Sequence, residues 1–497
     1  MGKTSGMIHK MWKENAGIET EIEFKKRWFS VLVIYVTIFL MTLGFGITLT
    51  GVWPYLDKLD PHAGKTFYGI ILAVSPLSQM IASPLVGWWT NKQKSSRVPL
   101  ICTMILFVFA SIMYATLEAF TSHHKYWMLT ARILIGISSA NIAICRAYLS
   151  AATTVKERTT AVSLGSLAQV LGFVVGPAMQ AALTPLGDKG RPILGGKVSL
   201  DMYTAPGWVN ALLALINIVI LLPCVFEEKP IAAKEAMVVQ GKESEKAAVD
   251  AIPLDYIAAW TLIVAFFAIV LNFVLLETLG TPLMMDQFAL TKQESLKYIS
   301  ILMAIGAVIS CISFVTIGPL CKRFDERKIM IWGGFFLMVI GRFFFIPWGS
   351  APPSLKYSNV TYDPSLLSNL TESVGCPVES QKWCATTNAL TTEQFILGYV
   401  CTAIGYPIGA TLIQTILSKV LGPRPQGVWM GLFTGSGGFS RVIGPVLLSY
   451  LYTHFGIIWT FCSLGTFMAI TVIWLLSLKH RLVPAVYNTD DIHLTKV

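Results

Sequence analysis

Five ionisable side chains stand inside long apolar stretches of this sequence, where a charge is costly. They are Arg132, Arg146, Glu277, Arg342 and Arg441. Charges in such places tend to face a water-filled cavity, a partner group or a transported solute. Four arginines against one glutamate give the interior a positive balance, which attracts anions and repels cations. The indicated chemistry is the passage of chloride or of a solute that bears a carboxylate, phosphate or sulfate.

The depth of each charge in its apolar stretch ranks these candidates. Arg441 lies 15 residues beyond Gln426, a helical rise of roughly 22 Å, so we expect it to face a central cavity. Arg342 lies six residues before Trp348 and is also expected within the membrane.

For the other three charges, a position near the membrane surface competes with a role in the cavity. Arg146 lies four residues from the end of its stretch at Ser150, so snorkelling to the surface competes with a cavity role. Arg132 lies five residues from Trp127 and could be interfacial. For Glu277, a gate contact or interfacial exposure competes with proton carriage.

Two hypotheses of function follow. The first is an anion-conducting pathway with Arg441 as the attracting site. The second is a proton-coupled, alternating-access carrier of a small organic solute, a symporter or antiporter in which Glu277 takes a proton from an acidic lumen. Channel and carrier stay open at this point. An enzyme is not expected, because the sequence has no phosphate loop, zinc-binding His pair or nucleophile elbow, and no cofactor or metal is predicted.

Twelve apolar segments position these residues, and each is about as long as a helix that crosses a bilayer. The first six run from about Trp28 to Val52, Phe67 to Trp89, Val98 to Phe120, Trp127 to Ser150, Thr160 to Leu183 and Pro206 to Phe226. The second six run from about Tyr256 to Leu279, Lys297 to Leu320, Lys328 to Trp348, Glu393 to Ser418, Gln426 to Tyr452 and Ile457 to Leu478.

Composition and charge indicate a multi-pass membrane protein with both termini in the cytoplasm. Hydrophobic residues make up 54% of the chain and charged residues 13%, far from the balance of a soluble protein. With a cytoplasmic N-terminus, 24 of the 38 Lys and Arg fall in cytoplasmic segments and 10 on the other side, as the positive-inside rule requires. The net charge of +10 therefore reflects topology, and the expected partners are the bilayer and a small solute, with no nucleic acid. The oligomeric state stays open.

The loop at 349–392 carries the marks of a lumenal or extracellular segment. Asn359 and Asn369 are the acceptors of the two glycosylation sequons. Cys376 and Cys384 lie in the same loop, and an oxidising compartment would allow them to form a disulfide. We expect both features on the lumenal side.

Landmarks of the first six segments recur in the second six. Leu149-Ser150 and Gly176-Pro177 are repeated as Leu417-Ser418 and Gly444-Pro445, both pairs 268 residues apart. The repeat predicts an all-α membrane protein of two parallel six-helix halves, at 28–226 and 256–478. A cytoplasmic tail at 1–27, a linker at 227–255 and a tail at 479–497 complete the predicted domains. The linker is charged and rich in alanine, which suits either a mobile tether or a short surface helix.

Several short motifs resemble those of the major facilitator superfamily, which has this twelve-helix arrangement. After the second segment, Gly87, Lys92 and Arg97 resemble the superfamily's gate loop, although Asn91 occupies the acidic position. The second half offers Gly318, Lys322 and Arg323 at the corresponding place. Arg132 and Gly136 resemble an Arg-x-x-x-Gly motif associated with proton coupling. The helix-packing candidates are Gly172, Gly176, Pro177, Gly444 and Pro445.

A closer resemblance extends over almost the whole chain, to a lysosomal branch of the superfamily in the Batten-disease group. It rests on strings such as Trp53-Pro-Tyr-Leu, Glu157-Arg158-Thr159, Gly405-Tyr406-Pro407 and Arg441-x-x-Gly444-Pro445. This resemblance implies an endolysosomal multi-pass protein and the permeation of anions, chiefly chloride, through the cavity between the halves.

Overall fold

The computed structural model describes residues 17–120, 122–188, 190–193, 198–349, 353–356, 375–378 and 381–485. The first helices are α1 (Glu21–Leu59), α2 (Gly64–Gln93), α3 (Arg97–Ala115), α4 (His124–Ser138), α5 (Asn141–Ala151), α6 (Val155–Leu183) and α7 (Ala205–Ile220). Two short helices, α8 (Ala232–Gln240) and α9 (Glu245–Asp250), follow. The remaining helices are α10 (Tyr256–Phe288), α11 (Lys292–Cys321), α12 (Glu326–Lys328), a π-helix (Ile329–Phe336), α13 (Leu337–Phe344), α14 (Thr392–Leu421) and α15 (Gly427–Ser477).

Strands occur only as two short pairs within the described residues. β1 (Arg191–Ile193) pairs antiparallel with β2 (Val198–Leu200). β3 (Leu355–Lys356) pairs parallel with β4 (Cys376–Pro377). Single 3₁₀ turns occupy Leu117–Ala119, Thr184–Leu186 and Lys382–Ala385. The all-α membrane class predicted from the sequence is confirmed.

Nine helical stretches in the described part of the chain, with α4 and α5 counted together as one, are long and apolar enough to cross a membrane. The other predicted spans take different forms. The sixth is α7, which is shorter, and the ninth is interrupted by the π-helix. The eleventh and twelfth lie together in α15, where Gly456 has φ 83° and turns the chain. The count of twelve therefore stays a prediction.

The fourth predicted span is not one continuous helix. The sequence predicts a single helix from Trp127 to Ser150, whereas α4 ends at Ser138 and α5 begins at Asn141. At the junction the Ala143 N–H donates to the Ala140 carbonyl at 3.0 Å, an i→i+3 bond of the tighter 3₁₀ kind.

Capping boxes set the starts of three long helices. In each box the threonine precedes the helix, and its hydroxyl accepts from the backbone N–H of the third helical residue, a glutamate. The glutamate carboxylate in turn accepts from the threonine N–H. Two backbone donors without helical partners are thereby satisfied. The pairs are Thr20 and Glu23 for α1, Thr154 and Glu157 for α6, and Thr291 and Glu294 for α11.

The chain forms two compact units. The first comprises Met1–Ile263, Gln414–Gly438 and Arg481–Val497, and the second Val264–Ile413 and Phe439–His480. In the first unit α1 packs against α6, α3 against α7 and α2 against α4, around a core that includes Ile34 and Phe107. In the second unit the rings of Phe345 and Phe461 stack with centroids 4.8 Å apart.

The linker at 227–255 contains α8 and α9, which fits the surface-helix alternative better than a mobile tether. Its contacts lie in the first unit. The Ile231 N–H donates to the Ala151 carbonyl at 2.8 Å. Arg424 donates to the Ile252 carbonyl at 2.6 Å.

Candidate functional site

Arg132 is enclosed by protein in the first unit, with 2% of its surface exposed. Its Nη2 donates to the Thr48 carbonyl of α1 at 3.1 Å, and its guanidinium lies 5.5 Å from the ring centre of Tyr114. The hydroxyl of Ser75 donates to the Arg132 carbonyl at 2.9 Å. The side chain therefore joins α4 to α1 and α3 and does not lie at an interface with solvent.

Arg342 has a similar environment in the second unit and is 1% exposed. Its Nη2 donates to the Asn272 carbonyl of α10 at 2.9 Å, and its Nε donates to the Asn272 Oδ1 at 3.2 Å. Thr402 Oγ1 accepts a longer bond of 3.4 Å, and the Phe345 ring centre lies 5.6 Å away.

The two buried arginines share one arrangement. Each donates to a main-chain carbonyl of the first helix of its sequence half, Thr48 on α1 or Asn272 on α10, and each lies near an aromatic ring. Among the described residues neither guanidinium has a carboxylate at ion-pair distance. Each therefore leaves a positive charge in the membrane interior that the protein does not neutralise locally.

Arg146 and Arg441 are only half-buried. Arg146 Nη1 donates to the Thr434 hydroxyl of α15 at 2.8 Å, and the Phe433 ring centre is 5.3 Å from its guanidinium. Arg441 lies on α15 next to Ser440, whose hydroxyl donates to the Phe267 carbonyl at 2.9 Å.

Glu277 is exposed on α10. Its neighbour Leu276 is 7% exposed and Leu275 is fully covered, so α10 presents the carboxylate on the face opposite its packed side. In the described part of the chain, the Glu277 carboxylate forms no ion pair with an arginine or a lysine.

Asn91 bonds to the start of α15 through its neutral amide. Its Oδ1 accepts from the Gly427 N–H at 2.8 Å, and its Nδ2 donates to the Pro425 carbonyl at 3.4 Å. A side-chain oxygen at a helix N-terminus satisfies a backbone donor whether or not it is charged. The neutral residue at this motif position therefore keeps a helix-end contact, without a charge pair.

Glycines allow α2 and α15 to approach closely along several turns. A Cβ on Gly87 would lie 2.6 Å from the Gly427 carbonyl carbon, and one on Gly431 would lie 2.7 Å from Pro84 Cα. A Cβ on Gly435 would lie 3.0 Å from the Met80 carbonyl oxygen, and one on Gly438 would lie 3.1 Å from the Pro76 carbonyl oxygen. These glycines therefore permit close packing of α2 against α15.

The basic residues of the first gate motif have local partners. Lys92 lies over the Trp88 ring at 5.1 Å. Arg97 donates to the Phe226 carbonyl, and its N–H donates to Glu228. Arg97 therefore fixes the start of the linker, and Glu228 is a partner that the sequence did not single out.

In the second gate motif, Gly318 is buried while Lys322 and Arg323 are exposed. The ordered ion pair there joins Arg327 to Asp325 at 2.7 Å, and Arg327 also donates to the Lys479 carbonyl at 3.3 Å. Burial raises the pKa of Asp325, but the hydrogen bonds from Arg327 dominate and hold it below its ordinary value.

A reciprocal contact between α6 and α14 was missed by sequence reasoning. Arg158, fully buried, donates to the Ser418 carbonyl at 3.2 Å and to the Thr153 carbonyl at 3.0 Å. Lys419 donates to the Thr159 hydroxyl at 3.1 Å. The repeat offset of 268 relates Arg158 to Gln426, and this correspondence was the signal that the sequence offered. In the structure, Gln426 Nε2 also donates to the Ser418 carbonyl.

A second missed cluster holds the chain before α1. Arg27, 1% exposed, pairs with Glu19 at 2.5 Å and with Glu157 at 3.0 Å. It also donates to the Ala152 carbonyl at 2.8 Å. These bonds tie the start of α1 to the start of α6.

The predicted packing glycines lie where helices touch. A Cβ on Gly172 would lie 2.6 Å from the Phe39 carbonyl oxygen, and one on Gly176 would lie 2.7 Å from Gly46 Cα, so both allow α1 and α6 to meet. Gly444 has Val274 Cγ1 at 2.8 Å from the same hypothetical atom. Pro177 and Pro445 lie inside α6 and α15.

The loop before α14 is closed by a disulfide between Cys376 and Cys384. Trp383, 8% exposed, packs on Gly456 and on the Tyr452 ring, whose centre is 5.2 Å away. The Tyr452 hydroxyl donates to Asp286 at 3.0 Å. The sequons at Asn359 and Asn369 lie outside the described residues.

The β1–β2 hairpin is held by a lysine between two carboxylates. Lys58 pairs with Glu118 at 2.8 Å and also with Asp201, which is fully buried. Partial burial lowers the pKa of Lys58, but its hydrogen bonds to Asp201 and Glu118 outweigh that effect and raise it above its ordinary value. No cluster of metal-binding side chains occurs in the described ranges.

These elements define a multi-pass membrane transporter: long apolar helices, charges placed within them, and helix-end contacts that join both halves of the sequence. A family model described as the Major Facilitator Superfamily matches residues 34–362 and 366–495. The chain belongs to this superfamily, whose members are transporters and not enzymes.

Curated relatives and solved structures agree with that membership. The chain is 38% identical over 483 residues to Major facilitator superfamily domain-containing protein 8 of Xenopus laevis, covering 94% of each chain. It is 21% identical over 457 residues to Multidrug resistance protein 1 of Bacillus subtilis, covering 90% of this chain and 97% of that one.

Two solved structures share the fold. The human organic anion transporter MFSD10 matches with a TM-score of 0.63 at 14% identity and covers 90% of this chain and 99% of its own. The proton:xylose symporter XylE matches with a TM-score of 0.65 at 12% identity, over 91% and 96% of the two chains.

Proposed function

We propose that this transporter moves a small anion, with chloride as the foremost candidate, across an endolysosomal membrane, with both termini in the cytoplasm. The resemblance to the lysosomal branch of the superfamily supports the compartment. The distribution of Lys and Arg around the apolar segments supports the orientation.

The observation that carries the proposal is the positive charge of the membrane interior. Arg132 and Arg342 are buried without a carboxylate partner in the described residues, and Arg146 and Arg441 are half-buried on α5 and α15. A low-dielectric interior screens such charges weakly, so they raise the local concentration of anions and exclude cations.

Within this proposal Arg441 is the anion-attracting residue, because it is the deepest charge that is not fully covered by protein. Arg146 acts with it, while Arg132 and Arg342 contribute field from positions fixed by main-chain carbonyls.

The test is the chloride current of patched endolysosomes that carry Arg441→Gln. We expect a loss of about tenfold or more in current, since a tenfold effect needs only about 1.4 kcal/mol, with Arg441→Lys retaining most of it. Arg191→Gln, which removes an exposed arginine of the β1–β2 hairpin, is the matched control. Unchanged current and anion selectivity in Arg441→Gln would show that this residue does not have the role.

The second candidate function is a proton-coupled carrier of a small organic solute. The exposed carboxylate of Glu277 on α10 supports it, because an accessible acid within a span can take up and release a proton. This function predicts saturable uptake that requires a pH gradient and is lost in Glu277→Gln. Uptake that survives both the substitution and collapse of the gradient argues against it.

A further inference from the structure

Asn141 is a buried amide in the middle of a membrane span. It is the first residue of α5, directly after the break in the fourth span, and 1% of its surface is exposed. It lies 14 residues from Trp127 and 10 from Ala151, which at about 1.5 Å per residue places it near the centre of the hydrocarbon layer.

Neither polar atom of this amide has a hydrogen-bond partner in the protein. Within the described ranges Asn141 is the only residue with two separate buried side-chain polar atoms in this state. Burying an amide without partners is unfavourable, and more so where no bulk water is available. A group in this condition requires an explanation beyond packing.

The other buried asparagines of the spans provide a direct comparison. Asn210 donates to the Gly44 carbonyl at 2.8 Å. Asn217 accepts from Thr37 at 2.9 Å. Asn272 accepts from Arg342 and donates to the Ala268 carbonyl. Each of these amides joins two helices, whereas Asn141 does not.

The backbone next to Asn141 is also unusual. The Ser139 carbonyl accepts from the Ile142 N–H at 3.3 Å and from Gln79 Nε2 of α2 at 3.1 Å. A side chain that enters the hydrogen-bond ladder breaks the regular helix. Ser139 and Ala140 keep right-handed helical dihedral angles, so the junction is a tightened turn whose Ser139 carbonyl also serves a side chain of another helix.

We propose that Asn141 is a contact residue for the transported anion, which rests on the anion transport proposed above. The charged residues on its span are Arg132 and Arg146, with no acid between them, so the local field favours an anion. The Nδ2 group donates to that anion. Oδ1 accepts from a donor that travels with it, either a hydration water of a halide or the hydroxyl of a hydroxycarboxylate.

The test is the thermal unfolding of the purified full-length protein during titration with chloride or with lactate, in a methanesulfonate background. A ligand that binds the folded state raises Tm in proportion to the logarithm of its concentration above Kd. Asn141→Leu has nearly the same shape and removes both unpaired atoms. It should have an unchanged or higher Tm without ligand, and at least a tenfold weaker apparent affinity for the stabilising anion.

Asn210→Leu is the matched control, because it removes an equally buried amide whose donor is paired. We expect a lower Tm and an unchanged anion affinity. If Asn141→Leu is not recovered as folded protein, Asn141→Ser replaces it and should also weaken the anion affinity. Stabilisation by chloride identifies a halide with its water as the ligand, and stabilisation by lactate alone identifies a hydroxycarboxylate.

Two results would overturn the inference while anion transport stands. One is a wild-type anion response that Asn141→Leu retains at the same midpoint. The other is a fall in Tm of Asn141→Leu as large as that of Asn210→Leu, since this would mean that the amide has a structural partner. If the wild-type protein shows neither an anion-dependent Tm nor anion flux, the proposed function itself fails, and the contact role of Asn141 fails with it.

Discussion

At the scale of residues, the intramembrane arginines fall into two kinds that the sequence does not separate. Arg132 and Arg342 are covered and hydrogen-bonded to main-chain carbonyls, whereas Arg146 and Arg441 are half-buried. Depth along a helix can be counted from the sequence. The direction in which a side chain points cannot, because it depends on which neighbouring helix supplies the acceptor.

Asn91 shows the same distinction. The motif predicted a gate position at this residue, where Asn91 replaces the usual acid. The structure places its amide on the Gly427 N–H, a contact that needs a hydrogen-bond acceptor and no charge. Arg158 and Lys419 were missed because their partners, the Ser418 carbonyl and the Thr159 hydroxyl, are distant in sequence.

A residue-scale prediction concerns Glu235 of α8. Burial raises the pKa of this carboxyl from its ordinary value of 4.5, although Arg158 and the Val155 N–H act in the opposite direction. An acid with a raised pKa in the folded state holds its proton more tightly there than in the unfolded state, so stability falls as pH rises from about 4.5 to that pKa. The Tm advantage of Glu235→Gln over wild type should therefore grow across this window and then level off.

Tm measured against pH for the two proteins checks this prediction. Glu243→Gln, which alters an exposed linker glutamate, should follow the wild-type curve. A constant difference between Glu235→Gln and wild type at every pH would mean that the buried carboxyl does not titrate in this way.

At the scale of elements, the contact between α1 and α6 depends on glycines. Gly172→Ala would place a methyl group 2.6 Å from the Phe39 carbonyl oxygen, which is main chain and cannot rotate away. The helices must separate, and overpacking of this kind costs about 1–3 kcal/mol. We expect a lower Tm for purified Gly172→Ala. Gly69→Ala in α2, where the added methyl group meets nothing within 4 Å, should be neutral or stabilising, and equal behaviour of the two variants would contradict the packing role.

Another element-scale prediction concerns Trp383, which packs on the turn at Gly456 inside α15. Trp383→Ala removes a large buried side chain, a change that costs about 3–5 kcal/mol in well-packed sites, and loosens the support of Tyr452. The free energy of unfolding should fall by about this amount, and Trp383→Phe should lose less. A Trp383→Ala protein as stable as wild type would show that the disulfide loop does not brace α15.

The sequence predicted one of two interruptions in the long helices and missed the other. The fourth span breaks between Ser138 and Asn141, and α15 turns at Gly456, where φ is 83°. The turn at Gly456 lies in the gap that the sequence left between the segments ending at Tyr452 and starting at Ile457. Apolar content continues through residues 138–141, so hydropathy gave no sign of that junction. For the linker, the sequence allowed surface helices such as α8 and α9 as one of two alternatives. It could not decide between them, because docking of the linker depends on distant partners such as Ala151.

At the scale of the whole molecule, the internal repeat and the superfamily motifs predicted the architecture that the family match supports. The repeat also has a use beyond recognition. It relates Arg158 to Gln426, and both side chains donate to the Ser418 carbonyl, so different residues at equivalent positions of the repeat bond to the same main-chain group.

The central claim is that this transporter moves a small anion, and reconstitution of the purified protein in liposomes tests it most directly. Current and tracer flux are measured in parallel while chloride, pH and the membrane potential are varied independently. We predict an anion flux that is reduced in Arg441→Gln and, for a conductive pathway, a reversal potential that follows the chloride gradient. Saturable uptake of an uncharged solute that depends on the pH gradient, without anion flux, would contradict the claim.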